Sequence, residues 1–248
     1  MSPTQNRRAP EGSPNIPPLR RVAATARDLL SERSTDSTLE RILLLAVEVI
    51  PGAADSSISL RHRDGSIETP AATSERGAHA DRLQYETGVG PCLSALNEHE
   101  IVSAPDLSSD DRWGSWAPRT SVETGARSML CFRLFTNEKV LGALNLYANQ
   151  PHAFTTDDVD LGRAFAAQAA VALARASQIG NLEAALDSRS RIGEAVGILM
   201  ERFDLTSDRG FEVLARYSQN GNRKLRDVAT ELVETRHLPH ELEPPAPH

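Results

Sequence analysis

From Tyr217 to Arg226 the chain carries three basic side chains, Arg223, Lys224 and Arg226, and no acidic one; Arg216 lies just before them. Guanidinium and ammonium groups neutralise phosphates, and so position a nucleic acid. Ser218, Asn220 and Asn222 add short polar groups able to hydrogen-bond the base edges of an open loop. Tyr217 offers a ring on which a base can stack, or one that packs in a core. A patch this short suits a hairpin loop better than a long duplex. Basic runs beside a helix start are often only solvated faces, and spacing alone favours that outcome. The wider segment from 180 to 238 holds nine Lys/Arg and ten Asp/Glu, and the chain has a net charge of -7. Nucleic acid must therefore be held by a local patch, not by bulk charge.

Catalytic chemistry finds little support. Cys92 follows Gly-Val-Gly-Pro where a helix begins, and helix N-termini lower thiol pKa; a small buried residue is the commoner fate of such a cysteine. Cys131 is 39 positions away, which suits neither a zinc site nor a disulfide framework. Gly88-Val89-Gly90 is only a fragment of a phosphate-binding pattern. His62, His79, His99 and His152 lack metal spacing and are expected at the surface. Asp110-Asp111 lacks the α/β alternation of a phosphoacceptor domain. Trp113 and Trp116 are expected to cover a sheet edge. No catalytic residue, metal or cofactor is expected. A cysteine-based reductase or a nucleotide hydrolase is the enzyme alternative.

The elements that would position the patch follow from the apolar pattern. The 248 residues contain no apolar run near the roughly 18–20 residues of a membrane span, and no hydrophobic signal core at the N-terminus. A cytoplasmic protein away from the membrane is expected. The Pro-rich segments 1–19 and 239–248 read as disordered. Two helices are expected from 20 to 51, the second capped by Ser37 or Thr38. Strands follow at Ser56–Arg61 and near Ile67, joined by an Asp64-Gly65 turn. A tight loop at Gly88–Cys92 leads into a short helix, and Ile101-Val102 is a short strand. Ser128–Phe135 and Lys139–Tyr147 form a hairpin, with Gly142 marking a close backbone approach. After Pro151 a helix starts, capped by Thr155 or Thr156. Leu161, Phe165, Gln168, Ala172, Arg175, Ile179, Leu182 and Leu186 alternate four and three residues apart. Up to 175 this fits a coiled coil or packing on the same domain equally well; around Ile179–Leu186 it favours a short coiled coil.

The C-terminal part predicts three helices. Ile192, Ala195, Val196, Leu199, Met200 and Phe203 mark one apolar face, with Met200 and Phe203 in the core. Phe211, Leu214 and Ser218 mark the second helix. Leu225, Val228, Ala229, Leu232 and Val233 mark the third, with Asn222 as its N-cap. The whole is α+β: a mainly antiparallel sheet flanked by helices, then a connector helix and a three-helix bundle.

Two resemblances sharpen this reading. Gln84–Cys92, Ala104–Leu107 with Asp111-Arg112-Trp113, and Leu141–Tyr147 make residues 20–176 similar to a GAF domain, a small-ligand-sensing and dimerising module. Ser188-Arg189, Ile192–Arg202 and Ser218–Ala229 closely resemble the ANTAR domain, the RNA-binding output module of bacterial transcription antiterminators. This places the output module at 188–238 and a helical connector at 177–187. The resemblance implies a homodimer through the long helices that recognises paired stem-loops in nascent RNA, and an unknown small molecule at the sensor. Arg189 and Arg202 join the candidate RNA-binding residues on this ground. The chain departs from the family pattern at Val196 and Ala215, where basic residues are usual, and at Gly210, where Ala is usual. A DNA-binding transcription factor is the other alternative, although Asp227, Glu231 and Glu234 would oppose a major groove.

Overall fold

The computed structural model describes residues 18–62, 64–137 and 139–238. The segments expected to be disordered, 1–19 and 239–248, lie outside these residues, except that Pro18 and Leu19 open the first helix. The chain divides into two units, Met1–Ser177 and Gln178–His248.

In the first unit α1 (Pro18–Ser31) and α2 (Thr35–Val49) precede β1 (Asp55–Arg61) and β2 (Ile67–Ala72). The cap of α2 is Ser34, ahead of the expected Ser37 or Thr38. Ser34 and Ser37 exchange side chain-to-backbone bonds in a capping box, so Ser37 serves as the third helical residue. Next come α3 (Glu75–Thr87), α4 (Pro91–Asn97), β3 (Ile101–Ala104), a 3-10 turn at Asp111–Trp113, and α5 (Trp116–Thr124). The hairpin β4 (Ser128–Phe135) and β5 (Val140–Ala148) leads into α6 (Thr156–Phe203), where Thr155 and Asp158 form a reciprocal cap.

The five strands pair antiparallel in the order β2-β1-β5-β4-β3. Strand alternation sends side chains to two cores. Leu130, Phe132 and Leu134 of β4 join Ile42, Leu43, Ala46, Phe165 and Leu173 on the face carrying α2 and α6. Met129 and Cys131 join Leu83, Leu96 and Trp116 on the face carrying α3, α4 and α5. Trp113 and Trp116 meet edge-on with centroids 6.0 Å apart inside this second core, rather than covering a sheet edge. Gly142 is where strands crowd: a Cβ there would collide with the Ser59 carbonyl oxygen.

Leu161, Phe165 and Ala172 are buried in the first unit's own core. The early heptad positions of α6 therefore pack on their own domain. Leu182 and Leu186, later in the same spacing, are 61% and 57% exposed.

Candidate nucleic-acid interface

In the second unit the end of α6 packs with α7 (Ser207–Asn220) and α8 (Leu225–Thr235). Ala195, Leu199, Leu214, Val228, Ala229 and Leu232 are fully buried between them. Thr206 caps α7 by accepting from the Arg209 amide, and Asp208 sits at the positive end of the helix dipole. Two departures from the ANTAR pattern meet here. Val196 is buried, and a Cβ on Gly210 would lie 3.2 Å from its Cγ1, so the valine fills space that the glycine leaves open.

Not every apolar residue on these faces is core. Met200, Phe203 and Phe211 are 37%, 53% and 46% exposed. Their spacing is right for the stripe, but they lie at its margin, outside the buried three-helix core.

The turn between α7 and α8 gathers most of the sequence-predicted site. Gly221 closes α7 by donating to the Tyr217 carbonyl. Asn222 then takes a left-handed backbone, φ 47°. That conformation, which Asn tolerates better than most residues, makes the chain reverse, so Asn222 cannot also cap the next helix. Lys224 holds the N-cap position of α8 instead, and no side chain caps the helix. Ser218 clamps the turn from both sides: its Oγ donates to the Arg223 carbonyl at 2.6 Å, and its carbonyl accepts from the Arg223 amide at 2.9 Å. Asn220, Asn222, Arg223, Lys224 and Arg226 are all exposed around this turn. Arg216, also exposed, lies one helical turn before Asn220 on α7. Tyr217 is half-buried against the bundle core, which limits the ring face it can offer.

Two charges of the patch are already engaged. Arg223 Nη1 meets Glu231 Oε2 at 2.6 Å, and Arg226 Nε meets Asp227 Oδ1 at 3.2 Å. Lys224 has no ion pair among the described residues. Two candidates lie apart from the turn. Arg202 donates to the Arg236 carbonyl at 2.7 Å, capping the far end of α8 from Lys224. Arg189 is exposed on α6, thirteen residues before Arg202 and so about 20 Å along the helix.

The first unit holds a buried polar network that periodicity did not reveal. Asp81 of α3 is fully buried and accepts from Tyr147 Oη (2.6 Å), Ser57 Oγ (2.6 Å), Thr69 Oγ1 (2.9 Å) and Asn145 Nδ2 (3.0 Å). Burial raises its pKa, and these bonds oppose the shift. Cys92 donates to Ser59 Oγ at 3.1 Å, and burial pushes its thiol up to about 12. Burial raises the Cys131 thiol as well. The lowered thiol considered for the start of α4 is therefore absent. A signal was present in the sequence: Ser57 and Ser59 in one strand, and Asn145 and Tyr147 in another, occupy alternate positions and so share a face.

Of the histidines considered above, His62 pairs with Glu68, His79 with Glu123 and His99 with Glu98, and His152 is exposed. Asp110 is tied to Arg112 through both carboxylate oxygens. No group of three or more potential metal ligands occurs among the described residues.

Comparison with known proteins matches both units. A family model described as GAF domain matches residues 32–174, and one described as ANTAR domain matches residues 180–233. The GAF domain of a phosphoenolpyruvate-protein phosphotransferase from Coxiella burnetii superposes with a TM-score of 0.54 at 15% identity, covering 68% of this chain and 99% of that one. The corresponding Acinetobacter domain gives 0.52 at 18% identity, covering 66% and 97%. The reduced form of fRMsr from Staphylococcus aureus gives 0.50 at 13% identity, covering 63% and 94%. At these identities the likeness concerns the fold alone. No curated protein sequence matches the chain.

Proposed function

The chain belongs to the GAF domain family and carries an ANTAR domain after it, and on that premise we propose that it is a signal-responsive, RNA-binding regulator of transcription antitermination. Its ANTAR unit binds paired stem-loops in nascent RNA, and its GAF unit controls that binding. The observation that carries this reading is the clamped turn between α7 and α8. It presents Asn220, Asn222, Arg223, Lys224 and Arg226 together, beside a helix start that no side chain caps. Open amides and cations position phosphates, and the amide side chains read unstacked bases.

Control requires two states that a signal binds unequally. Leu182 and Leu186, exposed and four residues apart on α6, offer a seam for a second copy. Two modest RNA sites joined in a homodimer gain through effective concentration. A small molecule at the GAF unit would bias the pairing of these helices. The role is regulatory, not catalytic, since both thiols are buried with raised pKa and thiolate chemistry needs the opposite. No helix among the described residues is long and apolar enough to cross a membrane, and the proposed place of action is the cytoplasm.

The rival is a DNA-binding factor that uses α8 in a major groove. Asp227, Glu231 and Glu234 lie along α8 at spacings of four and three, which puts negative charge on the face a groove would meet. Gel shifts with paired hairpin RNA and with duplex DNA at matched salt separate the two. Tighter binding to hairpin RNA is expected; tighter binding to duplex DNA would refute the proposal.

A further inference from the structure

We propose that Glu231 sets the affinity of the RNA interface by holding Arg223 in an ion pair that a phosphate must displace; this deepens the RNA-binding reading and rests on it. The turn is built to make the pair. Ser218 fixes the Arg223 backbone at both its amide and its carbonyl. The left-handed Asn222 reverses the chain just before it. The Arg223 stem crosses Gly221, where a Cβ would sit 3.5 Å from its Cδ. The guanidinium then reaches Glu231, in the second turn of α8, at 2.6 Å.

The contrast with Lys224 gives the pair its meaning. Lys224 carries an unmatched charge next to Arg223, ready for a phosphate. Arg223 already has a carboxylate partner. A phosphate approaching it exchanges one charge-assisted bond for another, and so gains less than it would from a free cation. The two side chains are 41% and 35% exposed, so solvent screens the pair and release is easy. Glu231 therefore attenuates binding without blocking it.

The test measures binding of one hairpin RNA by the full chain in four forms: unchanged, Glu231→Gln, Arg223→Ala, and both together. Thermal melts by circular dichroism establish that each form is folded. Glu231→Gln is expected to tighten binding about two- to fivefold, the range of an exposed ion pair, and to steepen the salt dependence. The gain should vanish when Arg223 is alanine. Two results overturn the proposal: no gain on Glu231→Gln, or an equal gain without Arg223, which would mean simple repulsion by the carboxylate. If the unchanged protein binds no hairpin RNA, the RNA-binding reading itself fails and this role falls with it. If it binds and the cycle shows no coupling, only the role of Glu231 fails.

Discussion

Replacing Lys224 with alanine tests the proposed interface most directly, because it is exposed in the turn beside Arg223 and has no ion pair among the described residues. If Lys224 neutralises one phosphate, its loss lowers the slope of log affinity against log salt by about 0.7 for single-stranded RNA and about 0.9 for a duplex. Between 50 and 200 mM salt, a fourfold change, the unchanged protein should therefore lose about threefold more affinity than the variant. Arg223→Ala should change the slope less, since Arg223 is paired with Glu231 at 2.6 Å and a phosphate must displace that carboxylate. The ordering of the two variants is the structural content of the prediction. Fluorescence anisotropy with a labelled hairpin across a salt series measures both. Equal slopes for Lys224→Ala and the unchanged protein would remove Lys224 from the interface. A larger slope change for Arg223→Ala than for Lys224→Ala would refute the reasoning from the ion pair.

Two further predictions concern the GAF unit. Burial raises the Asp81 pKa above its ordinary 3.8, so between the unfolded and folded values the native state holds a proton that the unfolded chain has lost. Stability should fall as pH rises from about 4 through the folded value, and Asp81→Asn should flatten that part of the profile; urea midpoints at a series of pH values check it, and parallel profiles would refute it. Gly142→Ala drives a Cβ into the Ser59 carbonyl oxygen, a backbone atom of the neighbouring strand that cannot swing aside. It should cost about 1–3 kcal/mol, or roughly 2–12 °C in melting temperature; an unchanged melt would show that the strands can spread there.

Local pattern made several of these features readable. The β4–β5 hairpin and the crowding at Gly142 follow from alternation and from a glycine inside a strand. The three C-terminal helices follow from apolar spacing. α3 escaped because its buried face is Gly77, Ala80, Asp81, Leu83 and Gln84, and a polar core face has no hydrophobic period to find. Periodicity also names a face without naming what covers it. One heptad spacing along α6 has Leu161 and Phe165 in their own core but leaves Leu182 and Leu186 to solvent. Met200 and Phe203, expected in the core, are partly exposed for the same reason.

The basic patch was legible as composition; its state of pairing was not. Arg223 and Glu231 are eight residues apart, one in a turn and one on the helix after it, and sequence spacing does not show that their side chains meet. The departures at Val196 and Gly210 have a related lesson. Taken singly, one removes a charge and the other costs helix propensity, about 1 kcal/mol for glycine relative to alanine. In the fold they are neighbours, with the valine methyl 3.2 Å from the position of the missing Cβ. The apolar side chain at 196 serves the packing of α6 on α7, while the exposed cations of the proposed interface stay at the other end of α7, in the turn that Ser218 and Asn222 shape. A residue that departs from a family pattern thus weakens a proposed site only where the fold places it in that site.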